Sequence, residues 1–138
     1  MKAYIDSDVI LDVLLGREVF LCESSQILNI CETREMIGCT TALAIANMHY
    51  ILRRYDAKCA KRAIQSLREI FQVLPVSDHE IGKSLDSKFK DFEDGVQNFV
   101  AENHGCNLVI TRNIKDYVSS QLKVLTPKEY LLMIGAAH

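Results

Sequence analysis

Tryptophan is absent from this chain of 138 residues, proline occurs twice and glycine six times. So few breakers, scattered along the chain, exclude a linker or a low-complexity segment. No apolar run approaches the ~20 residues of a membrane span. The opening MKAYIDSDVI carries Asp6 and Asp8 where a secretory leader needs an uncharged apolar core. An excess of positive charge is missing too: 16 basic side chains face 18 acidic ones, a net charge of −2. Proteins that coat nucleic acid electrostatically are usually strongly basic, so any such contact here has to be local. The five cysteines, Cys22, Cys31, Cys39, Cys59 and Cys106, are odd in number and never spaced Cys-x-x-Cys. That pattern argues against a disulfide framework or a zinc site and for reduced, mostly buried thiols in a cytoplasmic protein.

What is present is ordinary globular material, 49% hydrophobic and 25% charged. A chain of this length buries roughly two thirds of its unfolded surface and folds without staples. Residues 1–138 are expected to form one domain.

Apolar patterning alternates between two periods. Ala3-Tyr4-Ile5 reads as a short buried strand ending in Asp6. Val9, Ile10, Val13 and Leu14 then recur at helical spacing, with Ser7 or Asp8 as N-cap and Gly16 at the C-terminal end. A second helix carries Phe20, Ile27, Leu28 and Cys31, and residues 36–40 form the second strand. Residues 41–71 are helical almost throughout, with a break near Tyr55-Asp56 and Asp56 as a cap. Val73-Leu74-Pro75-Val76 is an edge strand, because proline removes a ladder donor. Helices from Ser77 or Asp78 to about Leu85 and from Phe92 to His104 follow, the latter stopped by Gly105. Leu108-Val109-Ile110 is the most apolar strand, a last strand covers 122–125, and Thr126-Pro127 opens the final helix. Alternation of this kind predicts an α/β fold with a mostly parallel sheet covered on both faces.

In open α/β sheets ligands bind beyond the carboxyl ends of the strands. Three acidic loci fall there or nearby. Asp6 and Asp8 follow the first strand. Thr111, Arg112, Asn113 and Asp116 follow the most buried one. Asp91-Phe92-Glu93-Asp94 opens the helix leading into it, with Asp91 and Asp94 on one helix face. Acids in a first turn also serve the helix dipole, so Asp91 and Asp8 read equally well as caps. Asp6 does not, since a carboxylate ending a buried strand is costly to desolvate without a partner. Carboxylates gathered at one mouth stay ionised only beside a cation, and an all-oxygen set suits Mg²⁺ or Mn²⁺. The chemistry of such a site is phosphoryl transfer or phosphodiester hydrolysis.

Four segments, YIDSDVILDVLLGRE, TTALAIANMHYILRR, DFEDGVQNFVAENHGCNLVITRNIKDY and LTPKEYL, make the chain resemble the PIN-domain proteins. That family includes the metal-dependent ribonuclease toxins, VapC-like, of bacterial toxin–antitoxin pairs. The resemblance covers nearly the whole chain. It implies a three-layer sandwich, a parallel sheet of about five strands flanked by helices on both faces. Matched residue by residue, the family's first acid is Asp6 and its third Asp94. Asn113 stands at the acid or amide after the late strand, with Asp116 three residues on. Asp6, Asp94 and Asp116 are then the implied ligands of Mg²⁺ or Mn²⁺. Asn47 and Asn113 belong to the catalytic set, and Asp8, Asp91 and Thr111 support it. The departure is Asn47, which stands where the family has Glu on its central helix. An amide offers an oxygen but no charge, so Asn47→Glu should tighten metal binding by restoring a charge.

The resemblance implies an RNA substrate, a homodimer and an inhibitory antitoxin. Arg17, Arg112 and Lys115 lie nearest the acidic mouth in sequence and are the candidate phosphate contacts. Arg53, Arg54, Lys58, Lys61, Arg62 and Arg68 crowd another stretch, either a solvated face or a strip for phosphates or an acidic partner. The tail 130–137 is a core helix or a docking element. Two rival readings stand beside the ribonuclease. One is a PIN-like module that binds RNA or a partner without cutting, since Asn47 removes a charge. The other is a haloacid-dehalogenase-type phosphatase with Asp6 as nucleophile, for which DFEDG is a poor match.

Overall fold

The computed structural model describes residues 1–135. Strands and helices alternate as β1 (Lys2–Ile5), α1 (Ser7–Leu14), α2 (Glu18–Glu32), β2 (Ile37–Thr41), α3 (Ala42–Leu52) and α4 (Ala57–Ile70), then β3 (Gln72–Leu74), α5 (Asp78–Leu85) and α6 (Phe92–Asn103). β4 (Leu108–Ile110), a 3-10 helix (Ile114–Tyr117), β5 (Lys123–Leu125) and α7 (Pro127–Met133) complete them. All strand pairs are parallel, in the order β3-β2-β1-β4-β5. The proline-flanked β3 is an edge strand, as proline's missing donor requires.

Strand alternation sorts the core into two halves. Ala3 and Ile5 of β1, with Leu108 and Ile110 of β4, face a layer built from α1, α2, α3, α4 and α7. Tyr4 and Val109 point the other way, against Val96, Val100 and Ala101 of α6. The result is the three-layer sandwich implied by the resemblance. Gly95 lets α6 approach α5: a Cβ there would run into the Ser84 hydroxyl. That hydroxyl donates to the Phe92 carbonyl at 2.8 Å, joining α5 to the start of α6.

Local signals held at most element ends. Gly16 and Gly105 have positive φ just past α1 and α6. Ser77–Glu80 and Thr126–Glu129 form capping boxes. Helix α1 differs from expectation. It begins directly after β1, so Asp6 holds the N-cap position and Asp8 falls in the first turn. The Asp6 side chain makes no cap bond there because it is turned toward β4. The segment 41–71 breaks between α3 and α4, which puts Arg53 and Arg54 in the turn and off any continuous basic strip. Arg54 stacks on Tyr50 at 4.8 Å and donates to its hydroxyl at 3.2 Å. Lys58, Lys61, Arg62 and Arg68 of α4 are solvent-exposed. In the tail, Tyr130 and Leu131 are core residues, Leu132, Met133 and Ile134 are exposed, and Ala136 and Ala137 lie outside the described residues. All five cysteines are free, with Cys31, Cys39 and Cys106 buried.

Asp56 Oδ1 accepts from the Lys58 and Cys59 amides at 2.9 and 3.1 Å. Asp56→Ala is expected to cost about 1 kcal/mol, the usual value of an N-cap. A thermal melt should then fall by roughly 3–5 °C.

Candidate active site

The sheet order places β1 and β4 side by side in mid-sheet, where the chain's course across the sheet reverses. Such a switch point opens a crevice at the carboxyl ends of the strands. Asp6 stands at that end of β1, and its backbone N–H donates to the Ile110 carbonyl of β4 at 2.9 Å. Thr111, the next residue on the β4 side, donates its hydroxyl to Asp6 Oδ2 at 2.7 Å. The same Thr111 oxygen accepts the Asn113 amide at 3.0 Å, and the Asn113 side chain donates to Asp8 Oδ2 at 2.8 Å. Two carboxylates of the first locus are thereby aimed by hydrogen bonds from the second.

The third locus arrives on α6. Asp91 is its N-cap, with Oδ1 accepting the Asp94 amide at 2.9 Å. Asp91 thus supports the helix start, while Asp94 lines the crevice. Gln97, one turn on, is buried and bonded to the Thr41 hydroxyl, which also caps α3 by accepting the Ala44 amide. That contact ties the start of α3 to α6 and brings Asn47 to the rim. Asn47 Nδ2 donates to Glu93 Oε2 at 3.2 Å.

Asp6, Asp8, Glu93, Asp94 and Asp116 all line one cavity of about 190 Å³, together with Tyr4, Asn47 and Gln97, and among the described residues no basic side chain joins its walls. The electrostatic cost is visible in the acids. Burial, with Asp8 and Asp116 adding repulsion, raises Asp6 to about 6 against the opposing Thr111 hydrogen bond. Burial raises Asp94 to about 7, with Asp91, Asp6, Asp116 and Asp8 adding to it. Tyr4 is one of the lining residues. It is fully buried, and among the described residues its hydroxyl has no hydrogen-bond partner. Tyr117 is likewise buried, with no hydroxyl partner among the described residues.

Every acid expected at the mouth except Asp91 reaches the cavity. Asn113 and Thr111 act behind the wall. Among the described residues no three acidic, His or Cys side chains stand close enough to cage an ion directly. The phosphate-contact candidates divide. Arg112 Nε meets Asp12 Oδ2 at 2.8 Å, and Arg17 meets Asp12 Oδ1 at 3.4 Å. Arg112 also lies over the Phe20 ring at 3.9 Å, and both front a separate hollow of about 270 Å³. Lys115 joins Lys88, Lys90 and Asp116 around a hollow of about 110 Å³, which shares Asp116 with the acidic cavity. Two residues were not singled out by sequence reasoning. Asp12 betrayed itself only as an acid three residues after Val9, on the apolar stripe of α1. Glu93 was one letter in an acidic run that helix-dipole logic already accounted for.

The PIN domain family matches residues 2–115. Ribonuclease VapC1 of Aquifex aeolicus (strain VF5) is 30% identical over 134 residues, covering 94% of this chain and 92% of that protein. Among solved structures, a toxin–antitoxin complex from Klebsiella pneumoniae superposes with a TM-score of 0.70 at 23% identity, over 91% of this chain and 97% of that one. VapBC2 from Rickettsia felis, bound to a DNA fragment from its promoter, gives 0.69 at 9% identity over the same shares. Both are likenesses of fold.

Proposed function

The chain belongs to the PIN-domain family, and from that premise we propose that it is a toxin ribonuclease: a Mg²⁺- or Mn²⁺-dependent hydrolase of RNA phosphodiester bonds, restrained by an antitoxin protein. The observation that supports this most is the cavity at the sheet's switch point, walled by five carboxylates and, among the described residues, no basic side chain. The donor set fits a hard divalent cation. It is all oxygen, burial and then mutual repulsion raise Asp6 and Asp94, and Tyr4, whose hydroxyl has no partner among the described residues, lines the same space. The spread of the acids fits too, because Mg²⁺ keeps several waters and takes only one or two carboxylates directly.

Asp6, Asp94 and Asp116 would hold the cation, one or two of them directly and the rest through its waters. When bound, it would supply polarisation of the phosphoryl group, a lowered water pKa and alignment for in-line attack. The chain's own residues prepare that geometry. Thr111 fixes the Asp6 rotamer, Asn113 fixes Asp8, and the Asp91 cap fixes the helix turn carrying Asp94. Lys115, with Lys88 and Lys90, offers charge for the neighbouring RNA phosphates. Arg17 and Arg112 are held by Asp12 and contribute less. The family premise leaves the phosphatase reading of Asp6 without support. The relatives seen in toxin–antitoxin complexes favour an antitoxin partner here. A homodimer and a cytoplasmic location belong to the same reading, and no helix among the described residues is long and apolar enough to cross a membrane.

Asp6→Asn tests the assignment with little change of shape. Cleavage of a mixed RNA substrate in Mn²⁺ is expected to fall at least about 100-fold, on the scale of removing one preorganised electrostatic group. The far-ultraviolet circular dichroism should not change. Full cleavage by the variant would remove the site. A native chain that binds RNA yet never cuts it would favour the non-cutting module that Asn47 suggests.

A further inference from the structure

Charge is missing from the α3 wall, where Asn47 stands, and a carboxylate has come from the opposite wall. Glu93 sits in the first turn of α6 beside Asp94, lines the same cavity, and accepts the Asn47 amide at 3.2 Å. The pairing is directional. An amide N–H can only donate to a carboxylate, so Asn47 restricts the exposed Glu93 side chain to a pose across the mouth. An acid at position 47 would instead face Glu93 as a like charge and drive it away. A second feature points the same way. Tyr4 lines the cavity, is fully buried, and its hydroxyl has no partner among the described residues. A buried hydroxyl needs a partner: it can accept from a water of a hydrated cation or donate to a substrate oxygen.

We infer that Glu93, oriented by Asn47, is the carboxylate that replaces the α3 acid, so that this site holds its divalent cation with charge supplied from α6. The inference rests on the metal-dependent reading above. Glu93 contributes charge and accepts hydrogen bonds from the cation's waters. Asn47 is a positioning residue that acts through it. The arrangement makes position 47 and position 93 interchangeable as carriers of one negative charge, and incompatible as carriers of two.

A charge-relocation experiment separates this from a surface contact. Mn²⁺ binding to the metal-free full chain is measured by calorimetry for four proteins: native, Glu93→Gln, Asn47→Glu and the double variant. Glu93→Gln is expected to weaken binding about 10-fold or more, the range seen for residues that tune a metal site. Asn47→Glu alone should bring no gain, against simple charge counting, because it confronts Glu93. The double variant should return to within about 3-fold of native. Native-like affinity in Glu93→Gln would overturn the inference while leaving the metal site intact. So would a double variant no better than Glu93→Gln. Absence of Mn²⁺ binding by the native chain up to millimolar metal would overturn the metal-dependent reading itself, and this inference with it. Glu93 is exposed, so its substitution is not expected to disturb folding.

Discussion

Replacing Asp94 by Asn is expected to stabilise the metal-free protein while removing the proposed RNA cleavage and the proposed response to Mn²⁺. Asp94 is half-buried at the start of α6 and faces Asp6, Asp8 and Asp116 across the cavity. Its carboxyl is pushed up to about 7, first by burial and then by Asp91, Asp6, Asp116 and Asp8. An amide of the same shape carries none of that penalty. Allowing for solvent screening of a half-exposed group, relief is on the order of 2 kcal/mol, or roughly 5–10 °C in Tm. The catalytic loss should be at least about 100-fold. Stability gained and function lost at one position is the signature of a strained functional site. A melt of Asp94→Asn that is unchanged or lower in the absence of metal would mean that its neighbours do not crowd it.

The same strain sets a pH dependence. Asp6 and Asp94 have folded-state values of about 6 and about 7, above the ordinary 3.8. Between about pH 4 and pH 7 the folded protein therefore holds protons that the unfolded chain has released. Stability of the metal-free protein should fall as pH rises through that window and level off above it. On the proposed metal-dependent reading, Mn²⁺ would compete with those protons. Its stabilising effect should be small near pH 5 and largest above pH 7. Melts over pH 4.5–8, with and without Mn²⁺, would show two curves that diverge with pH. Parallel curves would mean that the cation does not bind these acids.

The fold was legible because its signals are local. Continuous apolar runs at β1 and β4, caps at Asp56, Ser77 and Thr126, and glycines at 16 and 105 each follow from a few adjacent residues. The first half of the site was legible too, since Asp6 ends a strand and an α/β sheet puts strand ends at the mouth. The α6 contribution was less so. Helical rotation alone left the direction of Asp94 open, and only the packed position of α6 puts it in the cavity wall. Side-chain partnerships across long separations were not legible. The Asn47–Glu93 contact spans 46 residues, and Arg112–Asp12 spans 100. Arg17 and Arg112 read as free cations beside an acidic mouth because an acid on the apolar stripe of α1 was the only mark of a buried Asp12, and Arg112 lies 100 residues from it.

Asp12 carries the largest stability prediction. Its carboxylate is fully buried within the α1 face and satisfied on both oxygens. Oδ2 accepts from Arg112 Nε at 2.8 Å and from the Ser24 hydroxyl at 3.1 Å, and Oδ1 meets Arg17 at 3.4 Å. One side chain thereby joins α1, α2 and the segment after β4. Asp12→Ala leaves Arg112 and Ser24 facing a void. Breaking a buried ion pair by removing one partner costs about 3–5 kcal/mol. Both arginines retain some solvent contact, so the lower end applies, a fall in Tm of roughly 10 °C. Arg112 follows Thr111, the residue that aims Asp6, so loss of its anchor should also weaken Mn²⁺ binding, by about 10-fold. The double variant Asp12→Ala/Arg112→Ala should be less destabilised than the sum of the single ones, because it removes the unpaired charge along with its partner. Urea denaturation of the four proteins measures that coupling. An additive result, or a loss below about 1 kcal/mol for Asp12→Ala, would reduce the contact to the level of an exposed pair and detach it from the active site.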